Sequence, residues 1–106
     1  MNYVVIGKDK GDLRRARRAA HLEFVAERQA LILYAGPLME GGRVVGSLFL
    51  FDVPDRAALD AYLAADPYFA DGGIFDTVEI YESRKMVPEA EPGFLRAEAE
   101  RARMPA

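Results

Sequence analysis

Apolar and polar positions follow two rhythms along this chain, one with a period of two and one with a period near 3.6. Asn2 to Lys8 holds Tyr3, Val4, Val5 and Ile6 in a short β-rich run that stops at Lys8-Asp9-Lys10-Gly11, so a first strand is expected there. The period then changes. From Asp12, read as an N-cap, Leu13, Ala16, Ala20 and Phe24 recur at spacings of three and four and predict an amphipathic helix running to about Gln29. Leu31 to Tyr34 predicts a second strand, closed by a turn at Ala35-Gly36-Pro37, and Gly41-Gly42-Arg43 is a hairpin signal because two glycines can take positive φ. Val44 to Val53 follows as a third strand with two apolar faces, Val45, Phe49 and Phe51 on one and Val44, Leu48 and Leu50 on the other. Asp55 then caps a second helix with the stripe Ala58, Leu59, Tyr62 and Leu63. It should end at Asp66, since Pro67 disfavours the α conformation for the residue before it. Ile74 to Met86 is the last predicted strand, with Ile74, Val78 and Ile80 on one face and Asp76 at its rim.

The order β, α, β, β, α, β is that of the α+β ferredoxin-like fold, a four-stranded antiparallel sheet with both helices on one face. A central strand apolar on both sides then needs a second cover. The economical source is the same sheet face of a second copy, which predicts a homodimer. This domain spans residues 1–87. Residues 88–106 form a tail that opens on the linker-like run from Pro88 to Gly93. Phe94 to Met104 is then short, charge-rich and helical in pattern, either a frayed end or a docking arm.

Composition narrows the chemistry. At 106 residues and 51% apolar content the chain can build one ordinary core and has no room for a second domain. There is no cysteine and a single histidine, so disulfides, thiol chemistry and multi-histidine metal sites within one chain are excluded by residue type. No metal or cofactor is expected. The net charge of −3 argues against a nucleic-acid partner, and no apolar run reaches the length that spans a bilayer, which makes the cytoplasm the default location.

His21 is the one side chain whose unperturbed pKa lets it exchange protons near neutrality. It lies on a helix side shared with Arg14, Arg18 and Val25, where it is either a boundary histidine held by a backbone group or carboxylate, or an acid/base group. Asp66 opposes the dipole of the helix it ends, at a cost of about 0.3–1 kcal/mol. The residue is either an Asp-Pro turn bonding nearby amides or a partner that orients His21. The run Arg14, Arg15, Arg17 and Arg18 reads either as a solvated face pairing with acids such as Glu23 or Glu27, or as a source of anion-binding groups in Arg14 and Arg18. Tyr34, Phe69 and Tyr68 are candidate apolar walls or plain core, and Ser47 is a packing residue before it is a nucleophile.

Taken together, Arg14-x3-Arg18-x2-His21, Ala35-Gly36-Pro37, Gly46-Ser47 and Asp66-Pro67-Tyr68 followed by Gly73 resemble the YCII-related family from Asn2 to about Val87. The resemblance implies a dimeric α+β barrel, with His21 and Asp66 as the active-site pair and Arg14, Arg18, Gly36, Pro37, Ser47 and Tyr68 around a small-molecule ligand. Some members resemble lyases or dehydrochlorinases acting on aromatic catabolites. The expected function is therefore a cofactor-independent enzyme in which His21, oriented by Asp66, drives an elimination or isomerisation of a small anionic or phenolic substrate. The competing expectation is a non-catalytic small-molecule-binding or dimerisation module.

Overall fold

Four β-rich segments pair into one antiparallel sheet in the order β2-β3-β1-β4, in a computed structural model that describes residues 1–105. The strands are β1 (Asn2–Asp9), β2 (Ile32–Glu40), β3 (Arg43–Asp52) and β4 (Phe75–Ser83). The helices are α1 (Arg14–Ala26), α2 (Arg56–Ala65) and α3 (Phe94–Arg103). Strand order and connectivity are those of the ferredoxin-like fold.

Alternation along the central strands divides the sheet into two faces. Val5 pairs with both Phe49 and Ile80, and the odd-numbered positions Tyr3, Val5, Phe49, Phe51 and Val53 are buried under the helices together with Leu59 and Tyr62 of α2. Burying each such side chain contributes on the order of 1.5–3 kcal/mol. On the opposite face, Val4, Ile6, Leu48 and Leu50 are half-buried, flanked by exposed Tyr34 and Tyr81.

Several local expectations are corrected. Asp12 does not cap α1: the N-cap is Leu13, which makes no side-chain capping bond, and the helix ends at Ala26, with a 3₁₀ turn at Gln29–Leu31. The strip Leu13, Ala16 and Ala20 does not face the sheet and is exposed. The side that packs inward carries Arg14, Arg17, His21 and Phe24, so polar groups with specific partners outcompete alanines that have little area to bury. The arginines take Asp9 and backbone carbonyls as partners, rather than Glu23 or Glu27. Ala35-Gly36-Pro37 is not a turn. It runs inside β2, where Pro37 sits opposite Ser47, because β2 is an edge strand and an edge position has no ladder bond to lose to proline. β4 is shorter than expected, with Ile74 buried just before it and Asp76 exposed.

Helix α2 follows its sequence closely. The Asp55 carboxylate accepts the Ala58 N–H at 2.9 Å, and the helix stops at Asp66, whose ψ of 124° is extended. The loop beyond it is tied back to α1 by Arg17, which donates to the carbonyls of Pro67 at 3.0 Å and Ala70 at 2.7 Å. Gly73 adopts a φ of +59°, and a β-carbon there would press on the Tyr68 carbonyl at 2.7 Å, so glycine closes this loop.

The C-terminal segment extends the molecule. The Cα radius of gyration is 16.8 Å, against about 13 Å for a compact chain of this length, and α3 contains no buried residue. The Glu89 carboxylate accepts the backbone N–H groups of Gly93 at 3.0 Å and Leu95 at 2.9 Å at the start of this helix.

Two predictions follow from these ties. Arg17→Ala leaves the Pro67 and Ala70 carbonyls without their charged donor and should lower stability by about 1.5–3 kcal/mol in urea denaturation; an unchanged midpoint would show that the loop holds itself. At Glu89, the bonds from the Leu95 and Gly93 amides hold the carboxyl below its ordinary range. The group therefore supports α3 above its unfolded pKa, and that support is lost as pH falls through the depressed value. Helical circular dichroism should fall over that acid window in the wild type and lack this step in Glu89→Gln.

Candidate active site

Helix α1 and the end of α2 lie over the same sheet face, and this brings His21 and Asp66 together. His21 Nδ1 is 2.7 Å from Asp66 Oδ1, and Asp66 has no solvent exposure. Two further donors complete the carboxylate's surroundings: the Tyr68 backbone N–H reaches Oδ1 at 2.9 Å, and the Tyr62 hydroxyl donates to Oδ2 at 2.7 Å. Asp66 is therefore both the Asx turn and the histidine partner that its sequence position allowed. An ionised carboxylate accepts all three bonds, which assigns the Nδ1–H tautomer to neutral His21.

The imidazole is fixed on its faces as well. The Tyr68 ring stacks on it at 3.6 Å between centroids and 6° between planes, and the Phe49 ring meets it edge-on at 6.0 Å. Arg14 lies over the Tyr68 ring at 5.0 Å from its centroid. Nε2 has no hydrogen-bond partner among the described residues and is not a buried orphan, so its lone pair is open to the adjoining cavity.

That cavity has a volume of about 320 Å³, at the small end of the range for ligand sites. Arg14, Arg18, His21, Gly36, Pro37, Ser47 and Tyr68 all border it, whereas Asp66 stands behind His21. Strand β2 contributes its edge at Ala35–Pro37. Gly46 sits where a β-carbon would collide with the Gly7 carbonyl, which keeps β3 close to β1 beside Ser47.

The two arginines differ. Arg14 is engaged: Nε and Nη2 donate to the Asp9 carboxylate at 2.9 and 2.6 Å, and Nη2 also donates to Ser47 Oγ at 3.0 Å. Partial burial opposes its charge, but the bond and attraction of Asp9 outweigh burial and raise its pKa. Arg18 makes no ion pair among the described residues. It also borders a second cleft, lined by Asp9, Gly11, Asp12, Arg15 and Val44. Ser47 is committed to Arg14, and no hydrogen bond among the described residues joins it to His21.

Two expected walls are elsewhere. Tyr34 is exposed on the opposite sheet face, and Phe69 packs on Phe49 and Phe75; Leu22, Val25, Val44 and Phe49 supply the apolar lining. The sequence places Tyr62 in the apolar stripe of α2 and reads Arg17 as part of a solvated face, not as the tie between α1 and the 67–70 loop. A detectable signal existed for Tyr62 alone, since tyrosine four residues before an aspartate on one helix is placed to donate to it.

The structure resembles a 5-chloro-2-hydroxyhydroquinone dehydrochlorinase (TftG) from Burkholderia phenoliruptrix AC1100, solved in complex with 2,5-dihydroxybenzoquinone, with a TM-score of 0.73, 20% identity, and 81% of this chain and 96% of that chain covered. It is less similar to an antibiotic biosynthesis monooxygenase, with a TM-score of 0.49, 18% identity, and 79% of this chain and 98% of that one covered. A protein of Mycobacterium tuberculosis stands at a TM-score of 0.46, 13% identity, and 81% and 96% coverage. The first supports the fold; the other two are too distant to carry an argument. No curated protein matches the chain in sequence. A family model of the YCII-related domain matches residues 1–84, a stretch that contains every residue of this cavity and of the network behind it, and the chain belongs to that family.

Proposed function

We propose that this protein is a cofactor-independent enzyme that uses His21 as general acid/base in an elimination or isomerisation of a small anionic or phenolic molecule. The observation that carries this reading is the direction of the imidazole. Nδ1 is held by a fully buried carboxylate at 2.7 Å, while Nε2 has no hydrogen-bond partner among the described residues and His21 borders a cavity of about 320 Å³. The stacked Tyr68 and the Asp66 bond fix the ring, so little reorganisation accompanies proton transfer.

In the reaction, Nε2 takes a proton from an acidic O–H or C–H of the substrate. The electron pair left behind forms a new π bond and either expels an anionic leaving group, as in loss of chloride, or is protonated at another carbon. Asp66 stabilises the imidazolium, which returns the proton to the product or to water. Arg18 faces the cavity without an ion pair among the described residues and holds the acidic group of the substrate. Arg14, fixed by Asp9, backs Tyr68 and bonds Ser47, and so shapes the wall. The mostly apolar lining by Leu22, Val25, Val44 and Phe49 favours a flat ring. The dehydrochlorinase likeness and family membership support testing chlorinated hydroquinones first.

We also propose that the active form is a homodimer joined through the open sheet face. Val4, Ile6, Leu48, Leu50, Tyr34 and Tyr81 would leave an apolar surface of a kind soluble monomers rarely show.

A panel of chlorinated hydroquinones and related phenols, followed by chloride release and ultraviolet absorbance, tests the chemistry. His21→Ala should lower turnover by about 10²- to 10⁴-fold, and Arg18→Gln should act mainly on KM; normal turnover in His21→Ala sinks the reading. Light scattering should give twice the chain mass for the wild type and the monomer mass for Leu48→Glu. A monomeric wild type at micromolar concentration would remove the dimer.

A further inference from the structure

We propose that Tyr62 is a positioning residue of the His21 site: by holding Asp66 Oδ2 it limits how strongly the carboxylate stabilises the imidazolium, and so keeps His21 able to cycle as a base. The proposal rests on the acid/base reading for its kinetic consequence and on geometry alone for its titration consequence.

Tyr62 stands one turn before Asp66 on α2, and its hydroxyl donates to Oδ2 at 2.7 Å. The ring is 4% exposed and is gripped edge-on by Phe24 at 5.1 Å and Phe51 at 4.7 Å, so the hydroxyl is aimed by the core and has little freedom to leave. Burial first, and the hydrogen bond to the Asp66 carboxylate second, push the phenol above its ordinary range, which favours the protonated, donating hydroxyl seen in the geometry.

A buried carboxylate facing an imidazole with nothing on its other oxygen would concentrate its charge on the His21 bond and favour the imidazolium strongly. Such a base gives up its proton less readily. A phenol on Oδ2 draws part of that charge away and weakens the attraction without breaking the pair. The groups around His21 are Asp66 at Nδ1, the Tyr68 ring with Arg14 over it, the Phe49 ring, and, three residues earlier on the same helix, Arg18, which borders the same cavity. Tyr62→Phe touches none of these except through Asp66, and it retains the aromatic contacts with Phe24 and Phe51.

The single histidine makes the test direct. Its ring protons are followed by NMR across pH in the wild type, Tyr62→Phe, Asp66→Asn and the double variant. Tyr62→Phe should titrate at higher pH than the wild type and Asp66→Asn at lower pH, and adding Tyr62→Phe to Asp66→Asn should change nothing further. If catalysis by His21 holds, the acid limb of kcat/KM moves up with the Tyr62→Phe midpoint. A Tyr62→3-fluorotyrosine protein, which keeps the hydroxyl and donates more strongly, should move the midpoint the opposite way, and it serves if Tyr62→Phe does not fold. Coincident titrations for wild type and the Tyr62 variants, or an equal shift with and without the Asp66 carboxylate, overturn the proposal. Normal turnover in His21→Ala with these shifts intact would instead remove the enzyme reading and leave Tyr62's role standing.

Discussion

A carboxylate with no solvent exposure is the constraint around which the helical layer is arranged. Taking an ionised Asp66 out of water costs several kcal/mol unless its oxygens are met by donors, and three elements supply them: α2 through Tyr62, the following loop through the Tyr68 amide, and α1 through His21. Each donor requires a particular backbone course. The Tyr68 amide can reach Oδ1 only if the helix ends at Asp66, which Pro67 enforces, and His21 can reach it only if α1 lies close to that end, which the Arg17 bonds to the Pro67 and Ala70 carbonyls secure. Removing His21 or the Tyr68 amide would leave Oδ1 with one donor instead of two, and removing the Tyr62 hydroxyl would leave Oδ2 with none, so the parts depend on each other.

That same demand decides which side of α1 turns inward. Its alanines could bury little surface, whereas Arg14, Arg17 and His21 find Asp9, loop carbonyls and Asp66 beneath them. The helix is therefore held by polar ties along Arg14, Arg17 and His21, with Phe24 packed on the core at its far end. The space left between α1, the β2 edge and β3 becomes the cavity, and its lining is apolar where side chains are short of partners and cationic where Arg18 has none among the described residues.

How far this was legible follows from the range over which each signal acts. The element order, the Asp55 cap and the stop at Asp66 are local chemistry, and the fold class came from their sequence. The contact of His21 with Asp66 was one of two readings left open: one histidine and one misplaced carboxylate stand out against the helices that carry them, but each had an equally local backbone partner on offer, and only the packing of α1 beside the end of α2 brings them together. The inward side of α1 was misread because periodicity weighs apolarity, while the partners that settle the matter lie fifty residues away at Pro67 and Ala70. Pro37 was misread for a similar reason: proline suggests a turn until the strand order puts β2 at the edge. Tyr62 was counted as core, which its ring is, and hydropathy does not register where its hydroxyl points.

Strand β3 joins the two halves of the functional reading. Its odd positions, Ser47 and Phe49, build the cavity on the helix side, and its even positions, Leu48 and Leu50, form the open apolar face. Pairing through that second face, as proposed, would use the side of the sheet opposite the one on which Ser47 and Phe49 border the cavity. It would, however, fix the backbone of β3, and with it Ser47 and the Phe49 edge that rests on His21. In the proposed dimer, association and site geometry would be coupled through one strand whose neighbouring residues serve different faces, and the scarcity of polar side chains on β3 accords with both faces being covered.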